Sequence, residues 1–548
     1  MSLVAGPGSP EERATLNVRP AFGVALGGAW RLGRRWAGSA AVLTVVVVVW
    51  EILALTVFAG RHVVPTPVSV VAQTFHDHFY LTDVSTTLGE AVRGWSLGNG
   101  IALLLAATCL LAPQVEPFLL SLGVVSYCVP IVAVGPLLVI LASPYDAKVG
   151  MAALSVFFVT LVAAVTGMRA APRSTLEVIS GFGGGRFMAL RKVRLRAAIP
   201  SLATGLCISA PAAILGAMIG DYLGGQKGLG VVMLQAETDL AVSRTWAIAL
   251  VATVLSGAAF FGLAMLARAA TGAPSTGVDT SAPAPSHRRP LPVASVLALA
   301  RIALGVAIVL AIWTVAIHAG GLNHFFAKSP TDVWRYVVTG SQAATHRAFL
   351  LHQLRRSVND AAYGWAGGMG LAIVAATFLT LSRTVAAAVY PLIIVLRSVP
   401  LIAMTPLIAL VCGRGILGVT AIAGVVTFVP SLVTLAEGLR AAPTAALDVV
   451  ACTGGSSWKA LWKVRAPFAG PAAFAAAKIS LPGALLGAIL AEWLITGRGL
   501  GETMAIDVIS SGYSELWSAV CIVVVLSVTL YTVVAAGERL ARARLAIG

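Results

Sequence analysis

The chain has 548 residues, 58% of them hydrophobic and only 11% charged, with a net charge of +16 and a mean hydropathy of +0.90. Soluble domains carry about 25% charged residues, so this balance excludes an ordinary soluble domain and points to a chain that crosses a membrane many times. The basic charge alone would permit a nucleic-acid partner, but the charges sit at the ends of apolar segments, as the positive-inside bias places them; lipid is the expected surroundings and no nucleic acid is expected.

Residues 1–36 end in Arg31, Arg34 and Arg35 before the first apolar run. That run is not a cleaved signal, because it is duplicated: Trp50 corresponds to Trp313 and Pro67 to Pro330 by one constant shift. Apolar segments follow near 38–59, 87–111, 117–141, 148–168, 200–222 and 244–267, then near 292–318, 357–381, 385–411, 416–437, 471–493 and 514–537. Each approaches or reaches the roughly 20 residues of a bilayer span. The fold class read from this is an all-α polytopic membrane protein of about twelve transmembrane helices, arranged as two six-helix repeats. An even number of spans per copy makes the repeats parallel, related by an axis along the membrane normal.

The chain divides into an N-terminal tail (1–36), a first repeat (37–268), a linker (269–291), a second repeat (292–538) and a C-terminal tail (539–548). The linker is rich in Pro, Ser, Ala and Gly and reads as a flexible tether. Both tails and the linker are expected on the cytoplasmic side, with Arg539, Arg542 and Arg544 after the last span. The predicted external stretch 319–356 goes against the charge rule, since it carries Lys328, Arg335, Arg347, Arg355 and Arg356.

The duplication is densest in two polar stretches, Pro172–Pro200 and Pro443–Pro471, which superpose with a shift of 271 residues. Glu177 meets Asp448, Gly183 meets Gly454, Phe187 meets Trp458, Leu190 meets Leu461, and Lys192-Val193-Arg194 meets Lys463-Val464-Arg465. Each stretch is expected to form a short helix with its acid in the first turn, where it favours the helix dipole. A turn at the glycine and a second, basic helix follow, with Pro200 and Pro471 opening the next span. Such a lever, held at both ends on the membrane surface, can transmit motion to a soluble partner.

Other matches extend the repeat: Gly94-Trp95 with Gly364-Trp365, Val129-Pro130 with Val399-Pro400, Ser209 and Pro211 with Ser480 and Pro482, Asp221 with Glu492, and Gly228-Leu229-Gly230 with Gly499-Leu500-Gly501. An acid, a glycine six positions later and a proline 23 positions after the acid resemble the EAA loop of ABC importer permeases. The Val-Pro and Gly-Leu-Gly elements are similar to the nitrate/sulfonate/taurine-type branch, here as two permease units fused in one chain. The sequence departs from the pattern in lacking the two alanines, in Asp448 for glutamate, and in Arg196 where the second copy has Pro467.

The resemblance implies coupling helices that dock on two ATP-binding cassette subunits, an extracytoplasmic substrate-binding protein, and a bacterial plasma-membrane location. ATP and Mg would be bound by the ATPase subunits; this chain has no phosphate-binding Gly-x-x-x-x-Gly-Lys-Ser/Thr loop, no catalytic residues and no cofactor of its own. The solute class implied is a small anion such as a sulfonate or nitrate, or a vitamin precursor. A twelve-helix transporter driven by an ion gradient is the competing reading, disfavoured by the scarcity of carboxylates in the middles of the spans.

For the translocation pathway the candidates are Tyr127, Pro130, Ser209 and Pro211 in the first repeat and Arg397, Pro400, Ser480 and Pro482 in the second. Proline frees backbone carbonyls, and such irregularity is tolerated where it is buried in protein or lines a cavity. Arg397, opposite Tyr127, would favour an anion. Asp221 and Glu492, near the external ends of the fifth segments, are candidates for seating the binding protein or closing a gate. Six scattered cysteines and His62, His76 and His78 suggest no metal site.

Overall fold

The computed structural model describes residues 43–60, 63–76, 80–112, 116–271 and 307–545, except 308, 312, 316, 320, 383, 387, 388, 390–392, 394, 395, 397 and 398. The N-terminal tail, nearly all of the linker and Arg397 therefore lie outside the described residues. No strand occurs among the described residues.

Among the described residues eight helices are long and apolar enough to cross a membrane, four in each repeat: Leu81–Leu111, Tyr145–Arg169, Arg186–Gly224 and Val242–Ala269, then Ala343–Leu381, Ile416–Arg440, Gly470–Thr496 and Tyr513–Ala541. They are segments two, four, five and six. The described part of segment one in the first repeat is the apolar helix Leu43–Leu55, and segment three there is not a single helix. In the first repeat it breaks into Glu116–Cys128 and Ile131–Leu141, with Pro130 extended (φ −66°, ψ 121°) at the joint. Pro400 (φ −63°, ψ 126°) opens Leu401–Cys412 in the same way. A proline suits the start of a helix, where no donor is needed, and biases the residue before it away from helix. Among the described residues, eight of the twelve expected segments are long helices, and a shorter apolar helix marks part of each of the other four.

Two boundaries differ from expectation for physical reasons. Segment two of the second repeat starts at Ala343 and absorbs Arg347, Arg355 and Arg356, so much of the supposed external stretch is helix. In the first repeat the polar loop runs without a break into segment five through a wide turn at Leu190–Arg194, which leaves Pro200 inside the helix Leu195–Gly224.

Segment one docks on segment six through a tryptophan pair in both repeats. Trp50 lies 5.3 Å from Trp246 and Trp313 stacks on Trp517 at 5.0 Å. The indole N–H of Trp246 donates to the Val63 carbonyl and that of Trp517 to the Phe326 carbonyl. Segments two, four and five pack through small residues: a Cβ on Gly98 would stand 2.4 Å from the Ala153 carbonyl oxygen, and one on Gly368 2.4 Å from that of Gly424. Close backbone approach is how helices associate where no hydrophobic drive separates them from lipid.

The second half of segment three packs on the opposite repeat. Ile131–Leu141 touches segments five and six of the second repeat, and Leu401–Cys412 touches segments five and six of the first. One buried core, including Val132, Leu137, Ile219, Ile402 and Ile489, spans both repeats at the end of the bundle away from the polar loops. At the loop end the core divides in two: one cluster holds Leu190, Ala198 and Met168, the other Leu461, Ala469 and Leu439. The buried core is shared by the repeats at one end and divides into one cluster per repeat at the other, where Glu116–Cys128 still touches the last helix of the second repeat.

Candidate functional site

The two polar loops share one geometry. Arg173–Gly181 and Thr444–Cys452 each form a short helix ended by a glycine in left-handed backbone, Gly183 at φ 72° and Gly454 at φ 71°. Gly184 N–H donates to the Ile179 carbonyl and Gly455 N–H to the Val450 carbonyl, both at 2.8 Å, the six-to-one bond that closes a helix C-terminus. A second helical turn follows, Arg186–Ala189 and Ser457–Ala460. Glu177 and Asp448 are exposed at the fifth position of the first helix, beyond its first turn. The helix-dipole role expected for them does not apply, since that field fades within one turn.

Leu190 and Leu461 are 5% and 3% exposed and anchor the loops to the two separate cores. The side chains pointing away are large and apolar: Phe187 is 65% exposed and Trp458 55%, with Phe182 and Trp462 beside them. Trp458 and Trp462 contact edge to face at 5.9 Å. Arginines tie this end together by donating to the C-terminal carbonyls of neighbouring spans: Arg440 to Leu379, and Arg465 to Leu439, both at 3.1 Å. This is where cations suit helix termini.

Segment five carries the chain from these loops to the far end, about 40 Å for the 26 residues between Leu195 and Asp221 at about 1.5 Å each. There each repeat builds a buried joint from segment two, the end of segment five and a short helix. In the first repeat Leu229 N–H donates to Thr87 Oγ1 (2.8 Å), and Thr87 Oγ1 donates to Asp221 Oδ2 (2.6 Å). In the second, Leu500 N–H donates to Ser357 Oγ (2.9 Å), Ser357 Oγ donates to Glu492 Oε2 (2.7 Å), and Gly501 N–H donates to the same oxygen (2.9 Å). The acid takes up the N-terminal donors of Leu229–Thr238 through the Thr87 hydroxyl, and those of Leu500–Ser510 both directly and through Ser357. Only glycine fits before each helix: Gly228 (φ 126°) and Gly499 (φ 91°) would carry a Cβ within 2.2 and 2.3 Å of the carboxyl group. Asp221 and Glu492 are therefore inside the protein, and neither is a solvated helix end.

Sequence reading missed Thr87, Glu90 and Lys148 in the first joint and Ser357 and Asp360 in the second. The signal was there: a hydroxyl residue, an acid three positions later and Gly-Trp four positions after that occur in both copies, at Thr87, Glu90 and Gly94-Trp95 and at Ser357, Asp360 and Gly364-Trp365.

Of the pathway candidates, Tyr127 lies between the repeats and donates its hydroxyl to the Ile479 carbonyl (2.7 Å), three residues before Pro482. Its ring lies 4.6 Å from Phe158. Pro130 and Pro400 are buried at the breaks of segment three, Pro482 is buried in segment five, and Pro211 is half-buried there. Ser209 and Ser480 are fully buried and accept the indole N–H of Trp95 and Trp365, each at 2.9 Å. Their hydroxyls tie segment five to segment two inside each repeat. No group of three or more His, Cys, Asp or Glu suited to a metal occurs among the described residues.

Two stretches, 98–272 and 368–546, match the family described as binding-protein-dependent transport system inner membrane component. Over 224 residues the chain is 29% identical to a Haemophilus influenzae protein named as an ABC transporter permease, covering 40% of this chain and 91% of that one. It is 27% identical over 186 residues to the formylaminopyrimidine transport permease protein ThiX of Halalkalibacterium halodurans, covering 33% of this chain and 74% of that one. It is 24% identical over 218 residues to SsuC of Bacillus subtilis, named for aliphatic sulfonates transport, covering 39% and 78%. No solved structure matches. The chain belongs to the family of binding-protein-dependent transport system inner membrane components: it is a multi-pass ABC transporter permease with two such units fused in one polypeptide, a transport component and not an enzyme.

Proposed function

We propose that this chain forms the complete translocation pathway of an ATP-driven importer, with each polar loop docked on one ATP-binding cassette subunit. The observation that carries this reading is the pair of loops: two copies of one turn, each anchored by a buried leucine and presenting a largely exposed aromatic side chain, Phe187 or Trp458. Exposed aromatic anchors of this kind dominate protein–protein interfaces. Glu177 and Asp448 stand beside them for polar contacts. ATP and Mg belong to the docked subunits.

In this reading the loop end and both termini face the cytoplasm, and a substrate-binding protein delivers solute at the opposite end. The buried core, shared there and divided at the loops, fits an inward-facing state. Solute passes along the axis between the repeats, by the broken third segments, where Tyr127 meets Ile479. Arg397, outside the described residues, remains the proposed anion-favouring group of that path. The names of the relatives support a small polar organic solute, either a sulfonate or a vitamin precursor.

The test is co-purification of the full chain with its co-expressed ATPase subunit, followed by ATP-dependent uptake in proteoliposomes. Phe187→Ala with Trp458→Ala should abolish the complex, and separate charge reversals at Glu177 and Asp448 should uncouple ATP hydrolysis from uptake to different extents. Uptake that needs no ATPase and collapses with an ionophore would refute the reading.

A further inference from the structure

The two far-end joints differ in how their buried carboxylates are paired. In the first repeat the Lys148 ammonium lies 3.0 Å from Glu90 Oε1 and 2.8 Å from Asp221 Oδ1, so two buried carboxylates share one cation. The second repeat keeps the acceptors, with Ser357 for Thr87, Asp360 for Glu90 and Glu492 for Asp221. It does not keep the lysine. The packing fixes the register: Gly94 faces Ala152 and Gly364 faces Ala423, which sets Val419 opposite Lys148, and Val419 is fully buried.

Asp360 is 5% exposed and Glu492 0%, and Asp360 Oδ2 and Glu492 Oε1 have no hydrogen-bond partner. The other charged groups facing the pair are Arg356, on the helix of Asp360, and Arg498, in the turn before Gly499. Neither forms an ion pair with them. Two charged carboxylates buried near each other, with no cation bonded to either, are strongly unfavourable. A divalent metal ion needs about six oxygen ligands. Here Glu492 offers one free oxygen, Asp360 is its single carboxylate neighbour, and Ser357 already donates to Glu492 and accepts from Leu500. A proton needs no more than this.

We propose that the Asp360–Glu492 pocket is a proton-binding site, holding one proton where the first repeat holds the Lys148 ammonium. The first joint is then closed by a fixed charge and the second by an exchangeable one. Closure of the far end of the second repeat therefore depends on the proton concentration of the medium it faces.

The test is infrared spectroscopy of the purified full-length chain in lipid nanodiscs at neutral pH, recorded as wild type minus variant. A carboxylic-acid C=O band, shifted in D2O, should be lost in D360N, in E492Q and in V419K. The third keeps both carboxyl groups and supplies the ammonium of the first repeat. If V419K does not fold, the two near-isosteric variants carry the test. Absence of any carboxylic-acid band removed by D360N or E492Q would overturn the proposal. So would loss of the wild-type band on adding sodium at constant pH, which would make the ligand a metal cation. The readout uses neither ATPase nor solute, so it stands or fails separately from the transport reading.

Discussion

Replacing Lys148 by methionine keeps the length and apolar body of the side chain and removes only the ammonium. That ammonium is 6% exposed and serves three acceptors: Glu90 Oε1 at 3.0 Å, Asp221 Oδ1 at 2.8 Å and the Lys227 carbonyl at 3.1 Å. Without it two buried carboxylates face each other with nothing between them. Removing one partner of a buried ion pair costs about 3–5 kcal/mol, whereas an exposed pair is worth about 0–1 kcal/mol. We expect Lys148→Met to lose about 3–5 kcal/mol in a reversible mixed-micelle denaturation titration followed by tryptophan fluorescence. The loss should be largest at alkaline pH, where neither carboxylate can take up a proton in place of the ammonium. Neutralising the carboxyl groups as well, with Glu90→Gln and Asp221→Asn, should recover most of it, because contacting residues couple strongly. A loss below about 1 kcal/mol at alkaline pH, the size of an exposed pair, would refute the view that this lysine holds the joint closed.

Gly454→Ala puts a Cβ into open space but into left-handed backbone, so only the backbone term of about 1 kcal/mol applies. ATPase-subunit affinity, measured by surface binding, should fall about fivefold, with Gly454→Asn milder; equal affinities would remove the turn from the docking geometry. Trp365→Phe deletes the bond to Ser480 and should cost about 0.5–1.5 kcal/mol in the same micelle titration, matching Trp95→Phe at Ser209. Burial, and after it the charge of Glu515, pushes the Asp507 carboxyl from 3.8 up to about 8. A carboxyl raised in the folded state lends stability that is full below 3.8 and lost as pH rises toward about 8. Asp507→Asn should therefore gain on the wild type across that window, and parallel pH profiles of thermal stability would contradict this.

What the sequence disclosed depended on whether the relevant pattern was local. Hydropathy marked the segments, and the constant shift between copies marked the loops, the tryptophans and the Gly-Leu-Gly turns. Proline marked the breaks at Pro130 and Pro400, because its effect on its own backbone is fixed. Pro200 misled because it lies inside the continuous helix Arg186–Gly224, where a membrane span tolerates proline once neighbouring groups satisfy the freed backbone. The far-end joint was not legible because it is assembled from three distant pieces: Thr87 and Asp221 are 134 residues apart, and Lys148 belongs to a fourth helix. Ser209 and Ser480 were read as lining a path because they neighbour prolines. Only the fold shows that each meets a tryptophan more than a hundred residues away.

The fused chain makes possible something that two identical subunits cannot have. In a symmetric pair every residue at the interface occurs twice, so a lysine that fixes one joint would fix the other. Here the copies have diverged where the mechanism is most exposed to charge: Lys148 against Val419 at the far end, Tyr127 against Arg397 at the middle, Arg196 against Pro467 at the loops. The apolar matches, by contrast, are kept, down to the tryptophan pairs that dock segment one on segment six. Packing must be equal in both halves for the bundle to close, since cores tolerate little change of volume. Charges need not be equal, and each one changed in a single copy gives that half its own response. The asymmetry therefore lies along the axis from loop to far end, at the three places where partner, solute and outer medium would meet the chain.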